Sequence, residues 1–374
     1  MRILVLGGYG NFGARICRAL AGVPGTPGPG LIDIEVIAAG RHAAPAAAHF
    51  AGLSIQAAEL DVAASSFPEA LRRLRPACVI HCVGPFQEQD YRVAHAALDA
   101  GAHYIDLADG RDFVARFASG VLAHALQVKR LAVTGASTLP ALSSAVVDAL
   151  ASRFSRLHAI ESVIAPAQRA PRGAATLAGV MSYAGRPFSI MTAGQWRTAY
   201  GWLDLRRLAL GELGARLSAL CDVPDLALFP ARYPGVATVT FRAALEIGIQ
   251  HRGIALLAAL RRGGLQVPVE RIAPQMESVA RTLDRFGSEL GGMEVRVGGT
   301  SHQGRPLKLV WRIIAPDNHG PEIPCMAAVL LARKLASGAI NETGAQPCMG
   351  LLTLAEFETE FAKWGMRTIV EELA

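Results

Sequence analysis

The chain has 374 residues, more than the roughly 250–300 at which a single hydrophobic core stops growing, so two domains are expected. Its composition is 51% hydrophobic and 18% charged, which is typical of a globular protein with a large core. No apolar run reaches the roughly 18 residues that span a bilayer, and the net charge of +6 is spread without an aromatic-interleaved basic cluster. We therefore expect neither a membrane protein nor a nucleic-acid-binding protein.

The N-terminus and the cysteines indicate the cellular compartment. Residues 1–10 lack the long apolar stretch and the small-residue cleavage site of a signal peptide, so we expect a cytoplasmic protein. The six cysteines are scattered, with no CxxC pair and no histidines at metal-ligand spacing. This pattern predicts reduced thiols and no metal site.

In the first 150 residues, short aliphatic runs alternate with helical stretches, a pattern typical of a parallel sheet with crossover helices. The tract Pro24–Gly30 predicts a surface loop after the first helix. We predict an α/β fold in which residues 1–150, completed by helices within 320–374, form a doubly wound Rossmann domain. Its six predicted strands are Ile3–Leu6, Ile34–Ala39, Leu53–Ala57, Cys78–Val83, His103–Leu107 and Leu131–Thr134.

A glycine-rich turn follows the first strand and opens the first helix. Gly8, Gly10 and Gly13 fit the pattern GxGxxG, whose glycines permit a tight turn, close approach of a pyrophosphate, and close helix–strand packing. Asn11 and Phe12 lie in this turn, between Gly10 and Gly13, and the free N–H groups at the start of the helix that follows favour an anion. We predict that these five residues bind the diphosphate of a dinucleotide, the alternative being a purely structural glycine turn.

The end of the second strand distinguishes NADP from NAD. An acidic residue there binds the ribose 2′-hydroxyl of NAD and repels the 2′-phosphate of NADP. This chain has Gly40 and Arg41 instead, and a guanidinium suits the 2′-phosphate, unless Arg41 is simply a solvated loop residue. Asp61, after the third strand, is a candidate partner for the adenine amino group or a helix cap. We predict NADP as the cofactor, in preference to NAD.

The ends of the fourth and sixth strands provide the remaining cofactor candidates. Ligands of open parallel sheets lie at the carboxyl ends of the strands. Gly84 and Pro85 form a bend after the fourth strand, and we expect Gly84 to let the backbone approach the cofactor. Ser137 lies in the segment that leaves the sixth strand and is a further candidate.

Three residues near the fifth strand are candidates for catalysis. Tyr104 and Asp106 are two residues apart, so they share one face of the strand. The tyrosine can donate a proton to a carbonyl or imine nitrogen while the aspartate orients it; the alternative is a packed core tyrosine. Asp109 follows in a loop and is either catalytic or part of an exposed ion pair. His81, inside an apolar strand, is interpreted as a core histidine.

After residue 150 the predicted elements become longer. The hairpin loop His302–Arg305 separates two of the strands, and we predict that residues 151–319 form an α+β domain on an open, largely antiparallel sheet, for substrate binding and dimerisation. The predicted strands are Leu157–Ala165, Val236–Leu245, Met293–Gly298 and Leu307–Ile314, and the predicted helices are Leu203–Leu220, Pro274–Leu283, Met326–Ala336 and Leu354–Trp364.

The order of motifs resembles that of the saccharopine dehydrogenase (saccharopine reductase) family. The resemblance rests on the glycine loop, on Gly84-Pro85-Phe86 after the fourth strand, on Gly101 before the Tyr104-x-Asp106 strand, and on the segment Val133–Ser144. It covers the first 150 residues well and extends more loosely to Asp317–Gly320 and the last helices. It implies a Rossmann domain that binds NADP and hydride exchange with an imine or secondary amine formed from an amino acid and an aldehyde.

Several functions fit these features. The leading hypothesis is an NADP-dependent oxidoreductase, acting as a homodimer on an imine, secondary amine or carbonyl carbon of a small metabolite. An alternative is an NADP-binding sensor or scaffold without turnover, because no acid–base residue is marked by spacing alone. A methyltransferase is disfavoured because Gly40-Arg41 replaces the usual acid, and a short-chain dehydrogenase because no tyrosine is followed four residues later by lysine.

Overall fold

The computed structural model describes residues 1–22, 34–42, 49–172, 179, 181–265, 278 and 280–373, so the predicted loop Pro24–Gly30 lies outside the described residues. The chain divides into two compact units. Unit 1 comprises residues 1–142 and 322–357, and unit 2 comprises residues 143–321 and 358–374. Residues 143–150, 320–321 and 358–374, which the predicted boundaries assign to the first domain, are thus grouped with unit 2. Among the described residues, no helix is both long and apolar enough to cross a membrane.

A parallel sheet of seven described strands forms the centre of unit 1, in the order β15-β6-β5-β4-β1-β2-β3. The direction of winding changes between β1 and β4, which is the topology of a doubly wound Rossmann sheet. The predicted fold class is therefore confirmed. The strands are β1 (Arg2–Leu6), β2 (Glu35–Gly40), β3 (Ile55–Glu59), β4 (Cys78–His81), β5 (His103–Asp106), β6 (Leu131–Thr134) and β15 (Gly344–Pro347).

The central strands of this sheet are buried on both faces. Ile3, Leu4 and Val5 of β1 have no exposed surface, as expected for a parallel sheet that helices cover on both sides. The helices of unit 1 are α1 (Asn11–Ala21), α2 (Phe67–Leu74), α3 (Arg92–Asp99), α4 (Arg111–Gln127) and α8 (Ile323–Ala336), and α9 (Leu354–Ala362) contains the boundary at residue 357.

Unit 2 is built on a mostly antiparallel sheet of nine described strands, as predicted. Its order is β10-β11-β12-β7-β13-β14-β16, with β8 paired to β12 and β9 paired to β8; only β12 and β7 are parallel neighbours. The strands are β7 (Phe154–Ala165), β8 (Pro187–Thr192), β9 (Gln195–Tyr200), β10 (Arg206–Ala209), β11 (Ala215–Leu220), β12 (Thr238–Leu245), β13 (Gly291–Ser301), β14 (Pro306–Ala315) and β16 (Arg367–Glu372). The helices whose bounds lie within the described residues are α5 (Ser143–Ala151), α6 (Asp225–Arg232) and α7 (Gly248–Arg262).

The prediction of a helix over Leu203–Leu220 is wrong, because this segment contains the antiparallel hairpin β10–β11. Gly211 and Gly214 lie between the strands with φ of +58° and +75°, a left-handed conformation that reverses the chain and that an α-helix does not contain. The helix propensity of the Leu, Ala and Arg residues is outweighed by strand pairing within the sheet. Half of the predicted helix Pro274–Leu283 lies outside the described residues, and the described half, residues 278 and 280–283, is helical.

Candidate functional site

The glycine loop joins β1 to α1 at the carboxyl edge of the parallel sheet. A Cβ on Gly13 would lie 2.2 Å from the Gly7 carbonyl oxygen, and a Cβ on Gly8 would lie 2.9 Å from the Ala38 Cα. These two glycines are therefore required by packing within the protein. A Cβ on Gly10 would meet one described atom within 4 Å, the Gly7 oxygen at 3.2 Å, which is a tight contact but not the overlap found at Gly13.

The N-terminus of α1 is open to an anion. Its first intrahelical bond is donated by the Ala14 N–H to the Gly10 oxygen (3.0 Å), so the N–H groups of Asn11, Phe12 and Gly13 precede that ladder. Within the described residues, no side chain caps this helix and no acidic residue occupies its first turn. No described side chain of the first turn or the cap thus neutralises the partial positive charge of the helix end.

The end of β2 holds Arg41, whose side chain is exposed next to Gly40. The Tyr9 ring lies against Gly40, where a Cβ would be only 2.7 Å from Tyr9 Cδ2, and the Tyr9 hydroxyl donates to the Ala38 carbonyl (2.8 Å). Asp61 is exposed and its Oδ1 accepts a hydrogen bond from the Ala63 N–H (2.9 Å), so it caps a turn before α2.

The ends of β4 and β6 hold the other cofactor candidates. Gly84 and Pro85 are joined by a cis peptide bond and are partly or fully exposed. The Gln89 side-chain amide donates to the carbonyls of Val83 (2.7 Å) and Pro85 (2.8 Å), which fixes the bend. Ser137 is partly exposed in the loop after β6, and its N–H donates to the Gly135 oxygen at 2.8 Å.

The three catalytic candidates occupy two different environments. Tyr104 and Asp106 are at most 1% exposed, and the Tyr104 hydroxyl lies 3.0 Å from His81 Nδ1. Asp109 is exposed, and its Oδ1 accepts a hydrogen bond from the Gln87 side-chain amide at 3.2 Å. The structure therefore brings Tyr104 and Asp106 together in the core and leaves Asp109 at the surface of the strand-end loops. A catalytic role for any of them stays a prediction.

Burial shifts the pKa values of His81, Asp106 and Tyr104. It lowers the pKa of His81 to about 3, so the imidazole is neutral at pH 7. It raises the pKa of Asp106 to about 6, although hydrogen bonds from Gly135, Ala108 and Thr134 oppose the shift. The pKa of Tyr104 is also raised, by burial first and then by the neighbouring Asp106.

Sequence reasoning did not predict that His81 and Thr134 lie next to Asp106 at the strand ends. His81 ends β4 and Asp106 ends β5, and the two are paired in the parallel register. The Thr134 hydroxyl, at the end of β6, donates to Asp106 Oδ1 at 2.9 Å. Alignment of the predicted strand ends was the one available signal, because polar residues at corresponding ends of adjacent parallel strands become neighbours.

Sheet topology and loop geometry together define a class: unit 1 is a Rossmann unit, and its candidate site is the carboxyl edge of the sheet beside the glycine loop. Comparison with solved structures then gives the fold of the whole chain, which is that of saccharopine dehydrogenase. The apo saccharopine dehydrogenase (L-Glu forming) of Saccharomyces cerevisiae matches with a TM-score of 0.68 and 12% identity, covering 100% of both chains. The fold resemblance inferred from the motifs is confirmed.

A second solved structure with this fold is the homospermidine synthase of Legionella pneumophila in complex with NAD. It matches with a TM-score of 0.59 and 11% identity, covering 100% of this chain and 91% of that one. No protein-family model matches the sequence, and no curated protein sequence matches it. At these identities the likeness concerns the fold.

Proposed function

We propose that unit 1 binds NADP(H) and that the chain is an oxidoreductase. The observation that carries the proposal is the uncapped N-terminus of α1 behind Gly10, beside the point between β1 and β4 where the winding reverses. In sheets of this topology a dinucleotide lies across that crevice, with its diphosphate on the helix N-terminus. Here the N–H groups of Asn11, Phe12 and Gly13 would hold the diphosphate.

The adenosine half of the cofactor would lie at the ends of β2 and β3. Arg41 is exposed directly after β2, at the sequence position where an acidic residue would favour NAD, and its guanidinium would bind the 2′-phosphate. Tyr9, hydrogen bonded to Ala38 and Ala58, would form the floor beneath the ribose. The proposal is therefore NADP in preference to NAD.

The nicotinamide half would lie over the loops that follow β4, β5 and β6, which contain Gly84, Pro85, Asp109 and Ser137. The nicotinamide, when bound, supplies or accepts the hydride. The protein's part is to hold the acceptor carbon close to the ring and to exclude water. Among the three catalytic candidates, Asp109 is the one exposed residue, so it is the one placed to contact a ligand directly.

The substrate class is an imine, a secondary amine or a carbonyl carbon of a small metabolite. The support is indirect: a protein named saccharopine dehydrogenase and a synthase solved with NAD share the fold of this chain. We keep the prediction that the chain acts in the cytoplasm as a homodimer. A screen for hydride exchange over a panel of amines, imines and carbonyls separates this proposal from a sensor that binds NADP without turnover.

Calorimetric titration of the purified chain with NADPH and NADH tests the cofactor assignment. In Arg41→Asp, the affinity for NADPH should fall by about 10- to 100-fold, because charge-assisted hydrogen bonds to the 2′-phosphate are replaced by repulsion. The affinity for NADH should change by less than about threefold, since NADH has no 2′-phosphate. Arg72→Asp, an exposed arginine on α2, is the matched control and should change neither. An unchanged ratio of NADPH to NADH affinity in Arg41→Asp would refute the NADP preference.

A further inference from the structure

Three buried polar side chains meet at the carboxyl ends of β4 and β5, and we call them the strand-end cluster: His81, Tyr104 and Asp106. His81 and Asp106 are paired in the parallel register, and the Tyr104 hydroxyl lies 3.0 Å from His81 Nδ1. Each side chain is at most 1% exposed. The strand-end cluster is therefore closed to a ligand and can influence one only through the loops around it.

Asp106 joins two of these loops through a single carboxylate oxygen. Its Oδ1 accepts hydrogen bonds from the Ala108 N–H (2.9 Å) in the loop after β5 and from the Gly135 N–H (2.8 Å) in the loop after β6. The Thr134 hydroxyl donates to the same oxygen (2.9 Å). Replacement of the carboxylate by an apolar group would leave these three buried donors without their acceptor, at a cost of roughly 1–3 kcal/mol for each unpaired group.

His81 joins the third loop. Its ring packs edge-on against Phe86, with the ring centroids 5.1 Å apart, in the segment that follows Gly84 and Pro85. The Phe86 backbone in turn lies against Gly110, where a Cβ would be 3.2 Å from the Phe86 carbonyl carbon. The loops after β4 and β5 are thus interlocked, and the strand-end cluster connects all three loops.

The strand-end cluster also contains polar atoms that the protein leaves unpaired. Within the described residues, His81 Nε2 and Asp106 Oδ2 are buried and have no hydrogen-bond partner. Each such buried, unpaired atom reduces the stability of a core. What the polar trio provides instead is the fixed geometry of three adjacent loops.

We propose that His81, Tyr104 and Asp106 are positioning residues for the nicotinamide half of the cofactor, acting through the loops after β4, β5 and β6. This inference rests on the proposed NADP(H) site. In a doubly wound sheet the adenosine half lies on the β2 side of the diphosphate, so the other half lies over the loops that the strand-end cluster connects.

The test compares two ligands, NADPH and 2′,5′-ADP, which contains only the adenosine half with its 2′-phosphate. In Asp106→Ala, we expect the affinity for NADPH to fall by about 10- to 100-fold, since a charged hydrogen-bond acceptor is lost. The affinity for 2′,5′-ADP should stay within about threefold of the wild type, because the β2 side of the site is not altered. A general loss of folding would weaken both ligands together.

Milder variants keep the test decisive if Asp106→Ala does not fold. Thr134→Val removes one of the three donors and should weaken NADPH by about three- to tenfold with no effect on 2′,5′-ADP. Asp106→Asn keeps an acceptor oxygen and should restore most of the NADPH affinity. Tyr9→Phe, which removes hydrogen bonds at the ends of β2 and β3, is the matched control and should weaken both ligands alike.

Each outcome has a separate meaning. A loss confined to NADPH in Asp106→Ala and Thr134→Val supports the inference. Equal effects on the two ligands, or no effect on either, overturn it while the proposed function stands. Failure of the wild-type chain to bind both NADPH and 2′,5′-ADP refutes the proposed function itself.

Discussion

At the N-terminus of α1, Gly10 and Gly13 have different surroundings. A Cβ on Gly13 would overlap the Gly7 carbonyl, whereas a Cβ on Gly10 would have a single neighbour at 3.2 Å. Gly10 also has φ of −77°, which any residue can adopt. A Cβ at this position therefore requires a shift of the Gly7 carbonyl by a few tenths of an ångström, whereas the proposed diphosphate would exclude a side chain altogether.

Gly10→Val and Gly13→Val should consequently separate binding from folding. The free energy of unfolding of Gly10→Val should lie within about 1 kcal/mol of the wild-type value. Its affinity for NADPH should fall at least about 100-fold, because the valine side chain would occupy the proposed diphosphate position. Gly13→Val should lose roughly 1–3 kcal/mol or more of stability through overpacking. Urea denaturation and calorimetry measure the two effects. Wild-type NADPH affinity in Gly10→Val would show that no diphosphate binds there.

In unit 2, Asp225 is a buried carboxylic acid at the start of α6. It is 2% exposed, and neither oxygen has a hydrogen-bond partner of normal geometry among the described residues. Burial raises its pKa to about 7, with the Ser143 hydroxyl and the Asp225 backbone acting in the opposite direction. The folded protein therefore keeps this proton to a higher pH than the unfolded chain, whose aspartates titrate near pH 3.9.

This difference predicts a pH-dependent gain of stability in Asp225→Asn. Folding retains a proton that the unfolded chain releases, so the wild-type free energy of unfolding falls as the pH rises from about 4 to about 7, by at most roughly 4 kcal/mol. The variant lacks this loss, so its stability relative to the wild type should increase between pH 5 and pH 8 in urea denaturation. Asp112→Asn, at an exposed position on α4, should show no such trend. A pH-independent difference for Asp225→Asn would contradict the account.

The site could be predicted from the sequence where it is local in the chain. Gly8, Gly10 and Gly13 follow one strand at fixed spacing, and Arg41 directly follows another, so both positions can be read from short segments. The partners of Tyr104 and Asp106 could not, because they depend on strand register and on which face α4 covers. The alternation of side chains along a strand places Tyr104 and Asp106 on the same face of β5, but it does not indicate that this face is buried.

At the scale of elements, patterning predicted strands wherever the buried run was long. β1, β4, β5 and β6 are mostly buried segments of the parallel sheet, and each lies within one or two residues of its predicted bounds. The predicted third strand, Leu53–Ala57, is observed two residues later. β15, with the sequence Gly-Ala-Gln-Pro, lacks any strand pattern and is a strand only because it pairs with β6.

Two glycines of β13 offer a test of packing within one element. A Cβ on Gly292 would lie 2.1 Å from the Ile313 carbonyl oxygen of β14, whereas a Cβ on Gly298 would meet no described atom closer than 3.8 Å. Gly292→Ala should therefore lose about 1–3 kcal/mol, since the backbone of β14 must move. Gly298→Ala should stay within about 0.5 kcal/mol of the wild type or be slightly stabilising, because alanine loses less backbone entropy on folding. Equal losses in urea denaturation would mean that the β13–β14 register is not as described.

At the scale of the whole molecule, the last part of the chain contributes to both sheets. β15 extends the parallel sheet of unit 1, and β16 pairs with β14 in unit 2. The sequence did not predict either strand, because neither element has a pattern that reveals its distant partner. The fold class of each unit was nevertheless predictable, since most of each sheet comes from contiguous, strongly patterned segments.

The most direct test of the proposed function is a crystal structure of the chain grown with NADPH. The account predicts diphosphate oxygens within hydrogen-bond distance of the Asn11, Phe12 and Gly13 amides, the 2′-phosphate against Arg41, and the nicotinamide over the loops after β4 to β6. A nucleotide bound elsewhere, or a crevice beside Gly10 that stays empty at saturating NADPH, would contradict it.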